Sequence, residues 1–139
     1  MPLVSMYKVT NNDLIDNKDC IFIYLDHKRR IGDPPVNADF RHAENAYPII
    51  VKKYSGTKPE SFFSDAELGV FQGEFDPTFS KIVSILRSGG TGILCRESIE
   101  HDDFSPILIR EHSRKVHDYM HDAMIKFYSQ YKPRLIRKR

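Results

Sequence analysis

The sequence predicts one α/β domain built on a mixed, mostly parallel sheet that is flanked by helices. Residues 20–25 form a continuous apolar run rich in β-branched and aromatic side chains. Such a run suits a strand that is covered on both faces, as in a parallel sheet. Segments with helical spacing alternate with short strand-like runs, which is the pattern of α/β proteins. We expect residues 1–131 to form the domain and residues 132–139 to form a basic C-terminal tail.

The composition is that of an ordinary globular protein. The 139 residues are 40% hydrophobic and 29% charged, which argues against global disorder. Basic side chains concentrate between Lys132 and Arg139, so the net charge of +2 reflects the tail and not a basic face of the domain. No apolar stretch is long enough to span a bilayer, and the N-terminus lacks a secretory pattern. We therefore expect a cytoplasmic protein without membrane contact.

Four strands are predicted, at residues 6–10, 20–25, 46–52 and 91–96. Pro48 falls inside the third strand and has no N–H to donate, so this strand is expected at an edge of the sheet or at a bulge.

Local capping signals predict the helices. Ser64 and Glu67 have the spacing of a capping box, and Asp76 followed by Pro77 repeats a helix start, so two helices are predicted before the glycines at 89–90. A long helix is predicted after Ser105-Pro106, with a break near Ser113.

Two polar loops follow buried strands, at residues 26–37 and 96–105. Ligands of open α/β sheets bind at the carboxyl ends of the strands, so these loops are the expected rim of a site. Lys28, Arg29 and Arg30 in the first loop suit a phosphate or pyrophosphate, because arginine offers a bidentate fork. An ordinary solvated charge run fits the same three residues.

The second loop contains Asp102 and Asp103. Paired carboxylates in such a loop can position a water or a ribose hydroxyl, and these two are the catalytic candidates if the protein is an enzyme. A helix-cap role before Ser105 is the alternative for Asp103. No local signature of a nucleophile accompanies them.

Histidines on the last helix raise the question of a metal. His117 and His121 are four residues apart and share a helical face, with His112 about one turn earlier. Charged neighbours make this face typical of a solvated surface. We predict no metal and no cofactor.

The order of short motifs resembles that of a family of small tailed-phage proteins. The motifs are Ile-Phe-Ile-Tyr-Leu-Asp-His at 21–27, Arg-Arg-x-Gly at 29–32, Arg-His-Ala-Glu-Asn-Ala at 41–46, Phe-Phe-Ser-Asp at 62–65 and Gly-x-Gly-Ile-Leu at 90–94. That family's pattern is in turn similar to macrodomains, especially the branch that removes ADP-ribose from proteins. The resemblance covers about residues 6–130 and implies a macrodomain-like fold.

Carried over to this chain, the resemblance implies a ligand site with two kinds of contact. Basic side chains would meet an anionic group, and polar ones would meet a ribose or a base. The ligand-binding candidates are Asp26, Lys28, Arg29, Arg30, Arg41, Asn45 and Asp102.

Both glycine-rich loops that hold the diphosphate in macrodomains are replaced here. Asp33-Pro34-Pro35 stands in the first loop, and residues 97–103 of the second loop contain no glycine. An acidic second loop repels phosphate, which argues against ordinary ADP-ribose binding. The pattern indicates a fold that is kept and a function that has changed.

The resemblance therefore implies a phage-type accessory protein that binds a nucleotide-derived ligand or a host protein, with a role against host defence in the host cytoplasm. Two alternatives stay open. One is an enzyme, an ADP-ribosyl hydrolase or phosphoesterase, although the residues favour a binding protein. The other is an interaction protein that docks on nucleic acid or a nucleoprotein through residues 132–139.

Overall fold

The computed structural model describes residues 3–28 and 38–136. Its strands are β1 (Leu3–Met6), β2 (Cys20–His27), β3 (Ala46–Lys52), β4 (Thr91–Cys95) and β5 (Arg134–Ile136). Its α-helices are α1 (Asn11–Asp16), α2 (Leu68–Arg87), α3 (Arg96–Ile99), α4 (Pro106–His112) and α5 (Arg114–Gln130). Short 3₁₀ segments lie at Ala38–His42, Pro59–Ser61, Asp65–Glu67 and Asp102–Phe104.

The strands form one sheet in the order β3-β2-β4-β1-β5, and every pairing among the described residues is parallel. The predicted fold class, a single α/β domain with a mostly parallel sheet flanked by helices, is confirmed. β3 lies at an edge of the sheet, as its Pro48 predicts. An edge strand has a neighbour on one side only, so the missing N–H of a proline can face the open side.

Helices cover both faces of the sheet and create two apolar cores. The larger core lies between one face and the helices α2, α4 and α5. The smaller core packs Phe22, Tyr24 and Ile93 of the opposite face against Leu14 of α1 and Phe40. β2 contributes to both cores, which explains why its sequence is apolar without alternation. None of the helices in the described part of the chain has the length and apolar character needed to cross a bilayer.

The prediction of two helices before the glycines is wrong, since α2 is one helix of 20 residues with Pro77 inside it. An interior proline costs about 3 kcal/mol. The apolar face formed by Phe71, Phe75, Ile82 and Leu86 runs past Pro77 and is buried along its length, so tertiary packing keeps the helix continuous. The capping box of Ser64 and Glu67 is confirmed.

The predicted break near Ser113 is confirmed, because α4 ends at His112 and α5 begins at Arg114. Ser113 is buried and has extended backbone angles. Its hydroxyl accepts a hydrogen bond from the Val116 N–H at 3.1 Å and donates to Asp65 Oδ1 at 2.6 Å. One side chain thus caps α5 and fixes it to the turn before α2.

Two sequence-based assignments are wrong. The first strand is Leu3–Met6 and not 6–10, because Thr10 is the N-cap of α1 and exchanges hydrogen bonds with Asp13. The second polar loop contains α3 and a 3₁₀ turn. Part of the basic tail, Arg134–Ile136, forms β5 on the open edge of β1.

Glycines make the sharp turn between α2 and β4. Gly89 has a φ of +97°, a conformation that favours glycine. A Cβ on Gly90 would lie 2.6 Å from Ile85 Cγ2 and 2.9 Å from the Ile85 carbonyl oxygen. The helix end therefore sits against the turn too closely for any side chain at position 90.

We expect Gly90→Ala to destabilise the protein by about 1–3 kcal/mol through this overlap. Gly73→Ala is the matched control, because Gly73 lies in α2 with nothing within 4 Å of an added Cβ. That control should stabilise the fold by about 1 kcal/mol. Urea denaturation measures both, and equal effects at the two positions would contradict the packing described for Gly90.

Candidate functional site

The carboxyl ends of β2 and β3 bring three buried polar side chains to one edge of the sheet. Asp26 and His27 end β2, and Lys52 ends β3. All three are 0% exposed. Groups of this kind are seldom buried unless they are paired, so their partners define the local structure.

Asp26 pairs with Arg41 through a bidentate contact. Arg41 Nε donates to Asp26 Oδ2 at 3.0 Å and Nη2 donates to Oδ1 at 2.7 Å. The hydrogen bond to Asp26 raises the pKa of Arg41, so the guanidinium stays charged. This fork ties the 3₁₀ segment Ala38–His42 to the end of β2.

Asp103 joins the ends of β2 and β3 from the opposite side. Lys52 Nζ donates to Asp103 Oδ1 at 2.7 Å, to the Asp103 carbonyl oxygen at 2.8 Å and to the Gly56 carbonyl oxygen at 2.6 Å. His27 Nε2 lies 2.5 Å from Asp103 Oδ2, and the Gly56 N–H donates to Asp103 Oδ1 at 3.0 Å. We call Asp26, His27, Arg41, Lys52 and Asp103 the edge network.

The edge network holds Asp103 as a carboxylate. Burial alone would raise the pKa of Asp103, but hydrogen bonds from Lys52 and His27 outweigh burial and keep this pKa below its ordinary value. Lys52 has three acceptors for its three ammonium protons. Asp103 and Lys52 are thus saturated by each other and their neighbours, and neither offers a free acid or nucleophile.

His27 connects the edge network to an aromatic side chain. Its Nδ1 lies 3.5 Å from Asp26 Oδ1 and forms no hydrogen bond with any residue that the structure describes. Its ring stacks on Phe104 with centroids 5.1 Å apart and planes 25° apart. Phe104 is itself buried, so it separates the edge network from the space beyond it.

That space is a cavity of about 160 Å³ between the carboxyl halves of β2 and β3 and the helix α5. We call it the ring cavity. Its walls are mostly apolar, with two histidines. The lining residues are Leu25, Ile49, Val51, Ile99, Phe104, Pro106, His117, Met120, His121, Met124 and Tyr128.

The crevice between β2 and β4 is closed. In this sheet β3 lies on one side of β2, whereas β4 and β1 lie on the other side. Ligands of open α/β sheets commonly bind in the crevice where the strand order reverses in this way. Here the Leu25 N–H donates to Ser98 Oγ at 3.1 Å, and this hydroxyl donates to the Cys95 carbonyl oxygen at 2.8 Å. Helix α3 therefore fills the crevice, and the ring cavity lies beside it.

The structure brings some predicted ligand residues together and separates others. Asp26 and Arg41 belong to the edge network. Lys28 comes directly after His27 in the chain and is exposed, and its Nζ lies 4.0 Å from Glu74 Oε1. Asp102 is exposed beside Asp103.

Asn45 lies at the amino end of β3, whereas the edge network lies at the carboxyl ends of β2 and β3. Its side-chain amide donates to the carbonyl oxygens of Leu14 and Asn17 at 3.0 and 3.2 Å, which ties the end of α1 to the sheet. Arg29 and Arg30 fall outside the described residues. The ligand-binding roles of all these residues remain predictions.

Sequence reasoning did not single out His27, Lys52 or Phe104 as site residues. A signal for the first two is present, because Asp26-His27 and Lys52 both stand where predicted parallel strands end. Phe104 and Tyr128 carried no such signal, since the ring cavity is assembled from segments far apart in the chain.

The histidines of the last helices do not converge. His117 and His121 stack at 5.5 Å with planes 14° apart, whereas His112 stacks on Phe62 at 4.1 Å. Among the described residues, no three metal-ligating side chains gather in one place.

The fold and the edge network define a parallel α/β protein with a polar cluster at the carboxyl edge of its sheet. Residues 5–123 match the model of DUF7831, a family of unknown function, and the chain belongs to that family. No curated protein and no solved structure matches the chain. The resemblance to phage proteins and macrodomains stays a prediction.

Asp103→Ala should destabilise the protein by about 3 kcal/mol, because it leaves the buried Lys52 ammonium without its counter-charge. Asp102→Ala is the matched control. Its carboxylate is exposed, so the change should stay within about 0.5 kcal/mol. Urea denaturation at neutral pH compares the two, and a similar loss for both variants would contradict the role of Asp103.

Stability should also depend on pH through Asp103. The folded pKa of Asp103 is lowered, so its contribution is present above the ordinary aspartate pKa of about 3.9 and is lost as pH falls through the folded value. The gap in unfolding free energy between wild type and Asp103→Ala should therefore shrink on acidification below about pH 4. A constant gap in denaturation curves across that range would rule this linkage out.

Proposed function

We propose that this protein binds a nucleotide-derived ligand at the carboxyl edge of its sheet and does not turn it over. The observation that supports this most is that the edge network and the ring cavity meet at Phe104, which stacks on His27 and lines the cavity. An apolar cavity beside a few fixed polar groups is the usual form of a small-molecule site. The carboxyl edge of a parallel sheet is also its usual location.

The state of the edge network supports binding over catalysis. A general acid or base must reach a proton of the substrate. His27 and Lys52 are fully buried, and the carboxylate of Asp103 is held by both of them. A hydrolase or phosphoesterase would have to use the exposed Asp102, which lies outside the edge network.

The anionic part of the ligand would meet the basic segment that begins at Lys28. The Lys28 N–H donates to the Lys52 carbonyl oxygen at 2.7 Å, so the segment leaves the sheet beside the edge network. Lys28, Arg29 and Arg30 are consecutive, and guanidinium groups suit phosphate oxygens. In this proposal Arg41 holds Asp26 in position, while Asp102 remains available to a ribose hydroxyl.

The biological part of the proposal rests on the resemblance to tailed-phage proteins. It would make this chain an accessory protein in the host cytoplasm that sequesters a nucleotide-derived signal or a host protein and so counters host defence. Docking on nucleic acid through the basic tail is the competing interaction role, and part of that tail is used for β5.

Calorimetry and thermal denaturation with AMP, ADP-ribose and a cyclic dinucleotide test the proposal. A ligand at about 100 times its dissociation constant should stabilise the fold by about 2.7 kcal/mol. No stabilisation by any of the three would contradict the proposal. Release of product from ADP-ribose or an ADP-ribosylated peptide would contradict the proposal of binding without turnover and support the hydrolase alternative.

The double substitution Arg29→Ala and Arg30→Ala should weaken phosphate-containing ligands by tenfold or more, since it removes about 1.5–3 kcal/mol of charge-assisted hydrogen bonding. Lys18→Ala is the matched control, because Lys18 is exposed just before the amino end of β2. Unchanged affinity in the double variant, or equal loss in the control, would reject the basic segment as the phosphate contact.

A further inference from the structure

The ring cavity has walls of two different kinds. The sheet contributes Leu25, Ile49 and Val51, whose strands are paired on both sides or fixed by the edge network. Across from them α5 contributes Met120 and Met124. Methionine is flexible and polarizable, so it adapts to flat aromatic surfaces. One rigid wall opposite one adaptable wall suits a planar guest.

Phe104 closes the end of the ring cavity nearest the edge network. It stacks on His27, which is anchored to Asp103, and Asp103 is anchored to Lys52. The ring of Phe104 is therefore held by its stack on His27 and by the polar contacts that fix His27. Phe104 is 1% exposed, so it forms a fixed aromatic end of the ring cavity that a guest can contact at its surface.

Only a few polar groups border the ring cavity. Tyr128 lines both the ring cavity and the neighbouring cavity beside Arg96 and Glu100. Burial raises the pKa of Tyr128, so its hydroxyl keeps its proton. His117 and His121 stack at the rim, and His117 Nδ1 is engaged by Asp118 at 2.9 Å. Among the residues that the structure describes, no carboxylate or ammonium lines the space.

We infer that the ring cavity binds an uncharged heteroaromatic ring of nucleobase type. Its volume of about 160 Å³ resembles that of apolar cavities of about 150 Å³ that accept a benzene-sized ring. An ion would lose its hydration there without a counter-charge. The hydroxyl of Tyr128 would supply a hydrogen bond to a ring nitrogen. This inference deepens the proposed function, and the phosphate part of the ligand rests on that proposal.

Methionine methyl groups report directly on this cavity. The chain has four methionines. Two of them, Met120 and Met124, line the ring cavity, while Met6 packs against the other core. With ¹³C-methyl methionine, titration with adenine and separately with benzene should shift Met120 and Met124 saturably through ring currents and leave Met6 in place.

Matched variants locate the binding. Met124→Trp should fill the cavity and weaken both probes by tenfold or more, whereas Ile125→Trp, at a neighbouring half-exposed position of α5, should leave both affinities unchanged. Tyr128→Phe should weaken adenine by about 2–10-fold, the value of one hydrogen bond, and should not alter benzene. Retained helical circular dichroism establishes that each variant is folded.

The outcomes separate this inference from the proposed function. The absence of a saturable chemical-shift change with either probe would overturn the ring-cavity inference. An equal shift change at Met6, or an equal loss of affinity in Ile125→Trp, would overturn it too. Adenine binding without AMP or ADP-ribose binding supports the ring cavity and contradicts the nucleotide proposal. Binding of AMP or ADP-ribose that leaves Met120 and Met124 unmoved supports the nucleotide proposal and overturns the ring cavity.

Discussion

The carboxyl edge of this sheet depends on one interaction, the pairing of Asp103 with Lys52 and His27. Burying an ammonium group is tolerated only when acceptors replace its water, and Lys52 finds three of them, two on Asp103. The same carboxylate takes a hydrogen bond from the Gly56 N–H. The turn that carries Asp103 is thereby joined to β2, to β3 and to the segment after β3, and its position sets where Phe104 lies.

Phe104 separates the edge network from the ring cavity. Helix α3 closes the crevice where sheets of this order commonly bind ligands, since Ser98 bridges the ends of β2 and β4. The remaining space lies between the sheet and α5, and its far wall is fixed by the break at Ser113 that sets where α5 begins. In the proposed function the ligand binds beside the edge network, whose charges hold Phe104 in position.

Local signals predicted much of the fold. The apolar run of β2, the proline of the edge strand, the glycine stop and the break near Ser113 each act within a few residues, so the sequence is enough to find them. Pro77 misled the prediction because the cost of an interior proline is local, while the packing that offsets it is not. The site was harder for the same reason. Arg41 and Asp26 each look like ligand contacts along the chain, and only the fold shows that they bind each other.

The most direct test of this account is a double-mutant cycle on Lys52→Met and Asp103→Leu, measured by urea denaturation at neutral pH. Asp103→Leu leaves the buried Lys52 ammonium without its counter-charge, and Lys52→Met removes the ammonium partner of Asp103, whereas the double substitution removes both charges. The account predicts that the double variant is more stable than the sum of the single effects implies, with a coupling of about 2 kcal/mol or more. Single effects that add to within about 0.5 kcal/mol would contradict the claim that this pair holds the edge of the sheet.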